Sequence, residues 1–409
     1  MSNFARIQVL NGKSTGVYEV PSDGKFIIGR LTGCQIVIDG PTVSRQHCVI
    51  EYTTRRDRII NTSSTATLLN GKPIESAELA DNDVITVGNV LLRYIAPDQK
   101  RGMERGEIEY VSGEKRVAFH ESSLAARMLG QNCGNTTLLA TLSSREMMDV
   151  FIGYRYQTRA ITAVKVLSPH ATEPVRKRFT RGATFMSKLA HPGLPLFHDQ
   201  GQIQGRPFAS VGFVDGIDLA SIVPEDQKSH TRKVVGLGLD VLHLLEYLEE
   251  RNIVLRNLCP ENLMLAHREV AKVVNLDYAT EGGETVPAKD AFAGASLSVL
   301  RHRAPECHED TVTANFHADQ FSLASVMYAS IAGGRAPWDP VGGDVASSFS
   351  RDTFKKDPVP LDARVKGVDP FLWGALQVAL KPDPTKRYNT TTDFRYELEA
   401  AAKSLRAGA

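Results

Sequence analysis

Arg30 and Ser44 are the residues of this 409-residue chain whose types best suit them to hold an anion. Arg30 closes the run Phe26-Ile27-Ile28-Gly29-Arg30. Its planar guanidinium is always charged and can grip two oxygens of one phosphate. Ser44 opens Ser44-Arg45-Gln46-His47 and offers a short hydroxyl donor, with a further guanidinium beside it in Arg45. A different chemistry is at issue in Ile253-Val254-Leu255-Arg256-Asn257-Leu258-Cys259-Pro260-Glu261-Asn262. A carboxamide donates and accepts hydrogen bonds but takes up no proton, so Asn257 cannot serve as a general base. Five cysteines (Cys34, Cys48, Cys133, Cys259, Cys307) are scattered without a Cys-x-x-Cys pair. That pattern points to reduced thiols, not to a disulfide framework or a zinc site.

The elements that must position these groups fall into two regimes. Up to about residue 96 the chain reads as short strands: Ile7–Leu10, Gly16–Val20, Phe26–Ile28, Ile36–Ile38, Cys48–Tyr52, Val84–Val87 and Val90–Tyr94. Turn pairs such as Asn11-Gly12, Asp23-Gly24, Asp39-Gly40 and Asn70-Gly71 separate them, which predicts a β-sandwich. Residues 97–135 are polar and aperiodic and read as a linker, with Ile108–Val111 a candidate strand inside it. From 136 to 409 strands come first and helical patterns follow, as in a two-lobed α+β domain. Val234, Leu237, Val241, Leu244, Leu245 and Leu248 trace the apolar stripe of a buried helix. The formal net charge of +1 gives no global field toward nucleic acid or an acidic membrane. The N-terminus has no signal-peptide core, and no apolar run approaches the roughly 20 residues of a span. A cytoplasmic protein is the expectation.

Residues 1–96 resemble the forkhead-associated (FHA) family. The resemblance rests on Gly29-Arg30, Ser44-Arg45-Gln46-His47, Thr67-Leu68-Leu69-Asn70-Gly71 and Leu79–Gly88, in that order and spacing. It implies a module that reads phosphothreonine in extended peptides, with Arg30 and Ser44 as phosphate contacts, Arg45 as an extra contact, and His47 as a brace for its loop. One position departs. Where the family commonly has Asn-Gly-Thr, this chain has Thr65-Ala66-Thr67, preceded by Ser64. Thr65 offers a hydroxyl without the amide's reach and its paired donor and acceptor. Ser64 and Thr65 are candidate peptide contacts, and preference for phosphothreonine over phosphoserine is left open.

From about Thr137 to Leu405 the chain resembles the protein kinase family, of the bacterial Ser/Thr type. Ala163-Val164-Lys165 matches the strand lysine, Ile253–Asn262 the catalytic loop, Leu276-Asp277-Tyr278-Ala279 the metal-binding segment, and Ala304-Pro305-Glu306 the end of the activation segment. Asp319 matches the residue that holds the catalytic-loop backbone, and Arg387 the partner of Glu306. The resemblance implies Lys165, Asn262 and Asp277 as nucleotide contacts, the latter two as Mg²⁺ ligands. It also implies a hinge at Gly212-Phe213-Val214 behind Val211.

The departures from that family fall at the chemistry. Asn257 occupies the catalytic base position. The family's glycine-rich loop falls on Ser143–Val150, where Ser143, Arg145 and Met148 replace glycines and Glu146 and Asp149 would repel phosphate. Gly182 stands where the family has the Glu that pairs with the strand lysine, so Lys165 loses that partner and Asp277 is the remaining candidate. Cys259 and Val299 replace a catalytic-loop Lys and an activation-segment Thr.

The expectation is a phosphothreonine-peptide-binding scaffold with a pseudokinase domain. The alternative is a divergent, active Ser/Thr kinase transferring phosphate from ATP. No cofactor is certain from the sequence, and ATP with Mg²⁺, weakly held, is the candidate ligand. Expected partners are a phosphothreonine-containing protein, a cognate kinase, or the chain's own phosphorylated segments at Ser112, Ser122, Ser123, Thr136, Thr137, Thr280 or Thr285. Nucleic acid and membrane are not among them.

Overall fold

Strands with alternating buried and open positions build the N-terminal sandwich, as in Arg6–Val9, where Ile7 and Val9 face inward. The computed structural model describes residues 4–11, 16–22, 24–53, 56–100, 108–110, 125–224, 226–266, 270–340 and 351–407. Two units emerge: residues 1–169 with 199–213, and residues 170–198 with 214–409. The first unit joins the N-terminal sandwich to the strands that open the kinase-like region.

In the sandwich the strand order is Gly16–Glu19, Arg6–Val9, Val90–Ile95, Val84–Val87, Thr67–Leu69, Lys72–Glu78, Arg58–Asn61, Cys48–Glu51, Lys25–Gly29 and Ile36–Val37. Ile7, Phe26, Ile28, Ile50, Ile59, Ile74, Ile85 and Leu92 fill its core. The Asn70-Gly71 turn has both residues at positive φ, 52° and 85°, as a tight hairpin requires. The Asn70 amide braces it, donating to Asp83 Oδ1 at 2.9 Å and accepting from Val84 N–H at 2.8 Å.

The segment expected as linker is partly built into structure. Ile108–Tyr110 pairs antiparallel with Lys72–Glu78. Ala125, Met128 and Cys133 pack with Leu138, Phe151, Val164, Val166 and Phe208. They lie in the core of a six-stranded sheet, ordered Asn132–Cys133, Thr136–Ser144, Met148–Arg155, Ala160–Leu167, Arg206–Gly212 and Phe197–Ile203. A second apolar cluster joins Val84 and Leu91 of the sandwich to Leu139, Ala140, Ile152 and Tyr154 of this sheet.

The second unit is helical. Its helices are α1 (Glu173–Lys188), α2 (Gln227–Glu249), α3 (Ala288–Ala291), α4 (Leu297–His302), α5 (Phe316–Ile331), α6 (Pro370–Ala379) and α7 (Thr391–Ala407). Asp226 caps α2 through the Lys228 and Ser229 N–H groups, and the predicted stripe from Val234 to Leu248 is buried. Helix α5 is buried almost all round, as a central core helix must be. Short ladders pair Ile253–Val254 with Thr280–Glu281 and Thr285–Pro287 with Thr311–Thr313. Among the described residues all five cysteines are buried free thiols, and no helix is long and apolar enough to cross a membrane.

Candidate functional site

Backbone pairing brings the sandwich's anion-type residues together. Arg30 N–H donates to Ser44 O at 3.0 Å and Leu31 N–H to Arg45 O at 3.1 Å. Gly29 makes this approach feasible, because a Cβ there would lie 2.4 Å from Arg45 O. Arg30 and Arg45 are exposed and Ser44 half-buried, so two guanidinium groups and a hydroxyl share one end of the sandwich. His47 is fully buried, its ring accepts Ser44 N–H at Nδ1 (3.2 Å), and burial lowers its pKa. A neutral ring that spends its lone pair on the Ser44 backbone acts as a brace.

The third loop reaches the same place through a residue that sequence reasoning passed over. Ser63, not Ser64, stands beside Ser44, with the two hydroxyl oxygens 2.6 Å apart. Ser63 Oγ also accepts Thr65 N–H at 2.9 Å. The carboxamide of Asn61 holds that turn, accepting from Ser63 N–H (3.2 Å) and the Thr67 hydroxyl (3.0 Å). Ser64 is exposed and Thr65 half-buried on the same loop. An Asn two residues before a Ser is a sequence signal for such a turn and could have flagged Ser63.

In the second unit, Asp319 of α5 holds the catalytic-loop backbone. It accepts Leu255 N–H at 2.7 Å and Arg256 N–H at 2.8 Å, and Arg256 takes a positive φ of 60°. The next side chain, Asn257, is 1 % exposed. Its Nδ2 donates to Asn275 O at 2.9 Å. The Asn275 side chain in turn accepts Asp277 N–H at 3.0 Å. Asn262 Nδ2 donates to Asn257 O at 2.9 Å. Asn257 thus ties the loop to the segment before Asp277. The Cys259 thiol is pushed up to about 12 by burial and carries no thiolate at neutral pH. Glu261 accepts the Ser298 hydroxyl at 2.6 Å. At the far end, Arg387 grips Glu306 bidentately at 2.7 and 2.8 Å.

Helix α1 lies directly on the segment 276–278. A Cβ on Gly182 would come within 2.6 Å of Leu276 O and 2.8 Å of Asp277 Cα. One turn earlier, the Arg178 guanidinium sits 3.9 Å from the Tyr278 ring centroid. Position 182 is therefore a contact that only glycine fits, not merely a missing carboxylate.

Lys165 sits in the first unit, half-buried on Ala160–Leu167 and paired in register with Val150 and Ala209. The loop at the position of the family's glycine-rich loop is a tight hairpin: Arg145 and Met148 exchange backbone hydrogen bonds at 3.0 and 3.3 Å across Glu146-Met147. Asp149 corrects the expectation of a repelling charge. Its carboxylate takes the Ser144 hydroxyl at 2.6 Å and Arg206 Nη2 at 2.7 Å, so its charge is neutralised within the sheet.

A sandwich with Arg30, Ser44 and Arg45 on backbone-paired segments, and a helical unit in which Asp319 holds the loop at 255–256, have the architecture of a forkhead-associated domain joined to a protein kinase domain. Residues 26–88 match the FHA domain family, and residues 137–361 match the protein tyrosine and serine/threonine kinase family. The second match covers more than half of the chain, which therefore belongs to the protein kinase family and carries an FHA domain.

The chain is 27% identical over 259 residues to the serine/threonine-protein kinase PknB of Mycolicibacterium smegmatis, covering 62% of this chain and 40% of that protein. It is 26% identical over 253 residues to PknJ of Mycobacterium bovis, covering 60% of this chain and 41% of that one. The chain thus spans about two fifths of the length of these curated relatives. Among solved structures it is similar to Rad53 1-466 in complex with AMP-PNP, at 17% identity and a TM-score of 0.46, covering 96% of this chain and 98% of that one.

Proposed function

We propose that this chain is a phosphothreonine-peptide-binding signalling scaffold whose kinase domain transfers no phosphate. Arg30, Ser44 and Arg45 grip the phosphate, and Ser64 and Thr65 line the peptide. Ser63 holds the Ser44 hydroxyl in place. The observation that carries the kinase half is the state of Asn257, which is buried, unable to accept a proton, and bonded to Asn275 O. Removing a positioned base costs about 10²–10⁴-fold. The side chains and closed hairpin at Ser143–Val150 add to that loss, because phosphoryl transfer depends on positioning and charge stabilisation. Glu261, the carboxylate next in the loop, does not take over as base, since it is engaged with Ser298.

Weak ATP·Mg²⁺ binding belongs to this reading. Asn262 spends its N–H on Asn257 O, which leaves its carboxamide oxygen for a hard cation, with Asp277 as second ligand. Bound there, the cation would neutralise phosphate charge. The alternative, an active Ser/Thr kinase, is favoured by the presence of Lys165, Asn262 and Asp277.

The deciding experiment is ³²P transfer by the purified chain to itself and to generic acceptors. The expected result is background incorporation. Robust incorporation abolished by Lys165→Met would replace the scaffold reading with the kinase one. A phosphopeptide array probed with the same protein identifies the ligand, which a cognate kinase or the chain itself would supply. Ser112, Ser122 and Ser123 lie outside the described residues. Thr136 and Thr280 are buried and Thr137 is half-buried, so Thr285 is the exposed one among the described threonines considered.

A further inference from the structure

We propose that α1 and residues 276–287 form a latch closed by the chain's own carboxylate, Glu284, so that this segment is ordered without phosphorylation. The proposal goes beyond the scaffold reading and stands whether or not the domain transfers phosphate.

The contacts of the latch all lie within the second unit. Arg181 of α1 donates through Nη1 to both oxygens of Glu284, at 2.9 and 3.0 Å, across 103 residues of chain. The Thr280 hydroxyl donates to the same carboxylate. The backbone of Glu284 is fixed on its other side, where Gly283 N–H donates to Ala314 O at 2.8 Å and Ala314 N–H to Glu284 O at 2.9 Å. One turn before Arg181, Arg178 covers the Tyr278 ring, while Arg256 donates from Nε and Nη2 to Tyr278 O at 3.1 and 3.0 Å. Gly182 lets α1 descend onto Leu276 and Asp277.

Charge explains why Glu284 is the keystone. Arg256 and Arg181 repel each other, and Glu284 lies in the field of both. Removing its charge deletes the Arg181 pair and leaves the two guanidinium groups opposed with one fewer counter-charge. Segments of this kind are commonly ordered when an added phosphate recruits an arginine. Here the arginine is already engaged. Thr280 is buried and its hydroxyl donates a hydrogen bond to Glu284, so a phosphate on Thr280 would meet a like charge.

The test is hydrogen exchange on the full chain, following peptides from 276–292 with α5 as internal reference. Phosphatase treatment of the wild type should leave exchange in 276–292 unchanged. Glu284→Gln, which keeps shape and removes charge, should speed it by roughly tenfold while α5 keeps its protection. Arg181→Lys keeps the charge and loses the fork, and should give a smaller acceleration. It also supplies the reading if Glu284→Gln fails to fold. Loosening of the segment by phosphatase, or wild-type exchange in a folded variant, would overturn the latch.

Discussion

A carboxylate at position 257 would have nowhere to put its charge. Asn257 is buried and donates to Asn275 O, so Asn257→Asp replaces a donor with an acceptor facing a carbonyl. The variant should lose about 1–3 kcal/mol of stability in urea titrations and gain no ³²P transfer. A gain of transfer would mean that the side chain can leave Asn275 and reach an acceptor. At the other site, Arg30→Ala removes a charge-assisted fork and should weaken binding of an array hit by about 1.5–3 kcal/mol, measured by calorimetry. Unchanged affinity would move the phosphate site elsewhere.

Among the elements, α1 carries the sharpest expectation. Gly182→Ala gains at most about 1 kcal/mol of helix propensity, but its Cβ would press 2.6 Å from a backbone carbonyl that cannot rotate away. Overpacking of this kind costs typically about 1–3 kcal/mol, so the net change should be destabilising, and Gly182→Glu more so. A more stable Ala variant would show that the helix shifts freely.

Helices α4 and α5 supply a pH dependence. His302 is buried against the Ser325 hydroxyl at 2.9 Å, and burial lowers its pKa from 6.5 to about 3. The unfolded chain therefore binds a proton that the folded chain refuses between those values. The stability contribution is complete above about pH 6.5 and is lost as pH falls toward 3. Urea midpoints measured from pH 7 to 5 should drop, and His302→Gln should flatten that slope. Most strands of the sandwich are legible in sequence to within a residue or two, because β-branched runs alternate between turn pairs. Arg58–Asn61, Thr67–Leu69 and Lys72–Glu78 are not, since charges flank the first, the second is only three residues long and Pro73 interrupts the third. Pairing on both sides overrides those weak local signals.

For the whole molecule, the FHA sandwich and the sheet carrying Lys165 share one unit through Val84, Leu91, Leu139, Ala140, Ile152 and Tyr154. Burying a Val or Leu side chain is worth about 1.5–3 kcal/mol. Residues 1–96 expressed alone should therefore fold with a lower urea midpoint than the same strands show in the full chain by hydrogen exchange, and should self-associate through the bared Leu91 face. A monomeric fragment of undiminished protection would mean that this contact contributes little.

The amino-acid sequence by itself determined the two families, the order of their motifs and the absence of a proton acceptor at position 257. These follow from residue type and local spacing, which packing does not alter. Only the tertiary structure decided that Asn257 is withdrawn into a bond with Asn275, that Gly182 is required by contact, that Ser63 is the hydroxyl beside Ser44, and that Asp149 is neutralised by Arg206. It also decided that Glu284 closes on Arg181, 103 residues away. Each of these depends on partners brought close by the packing of separate elements, and no local pattern of side chains specifies which distant group will complete a buried donor, acceptor or charge.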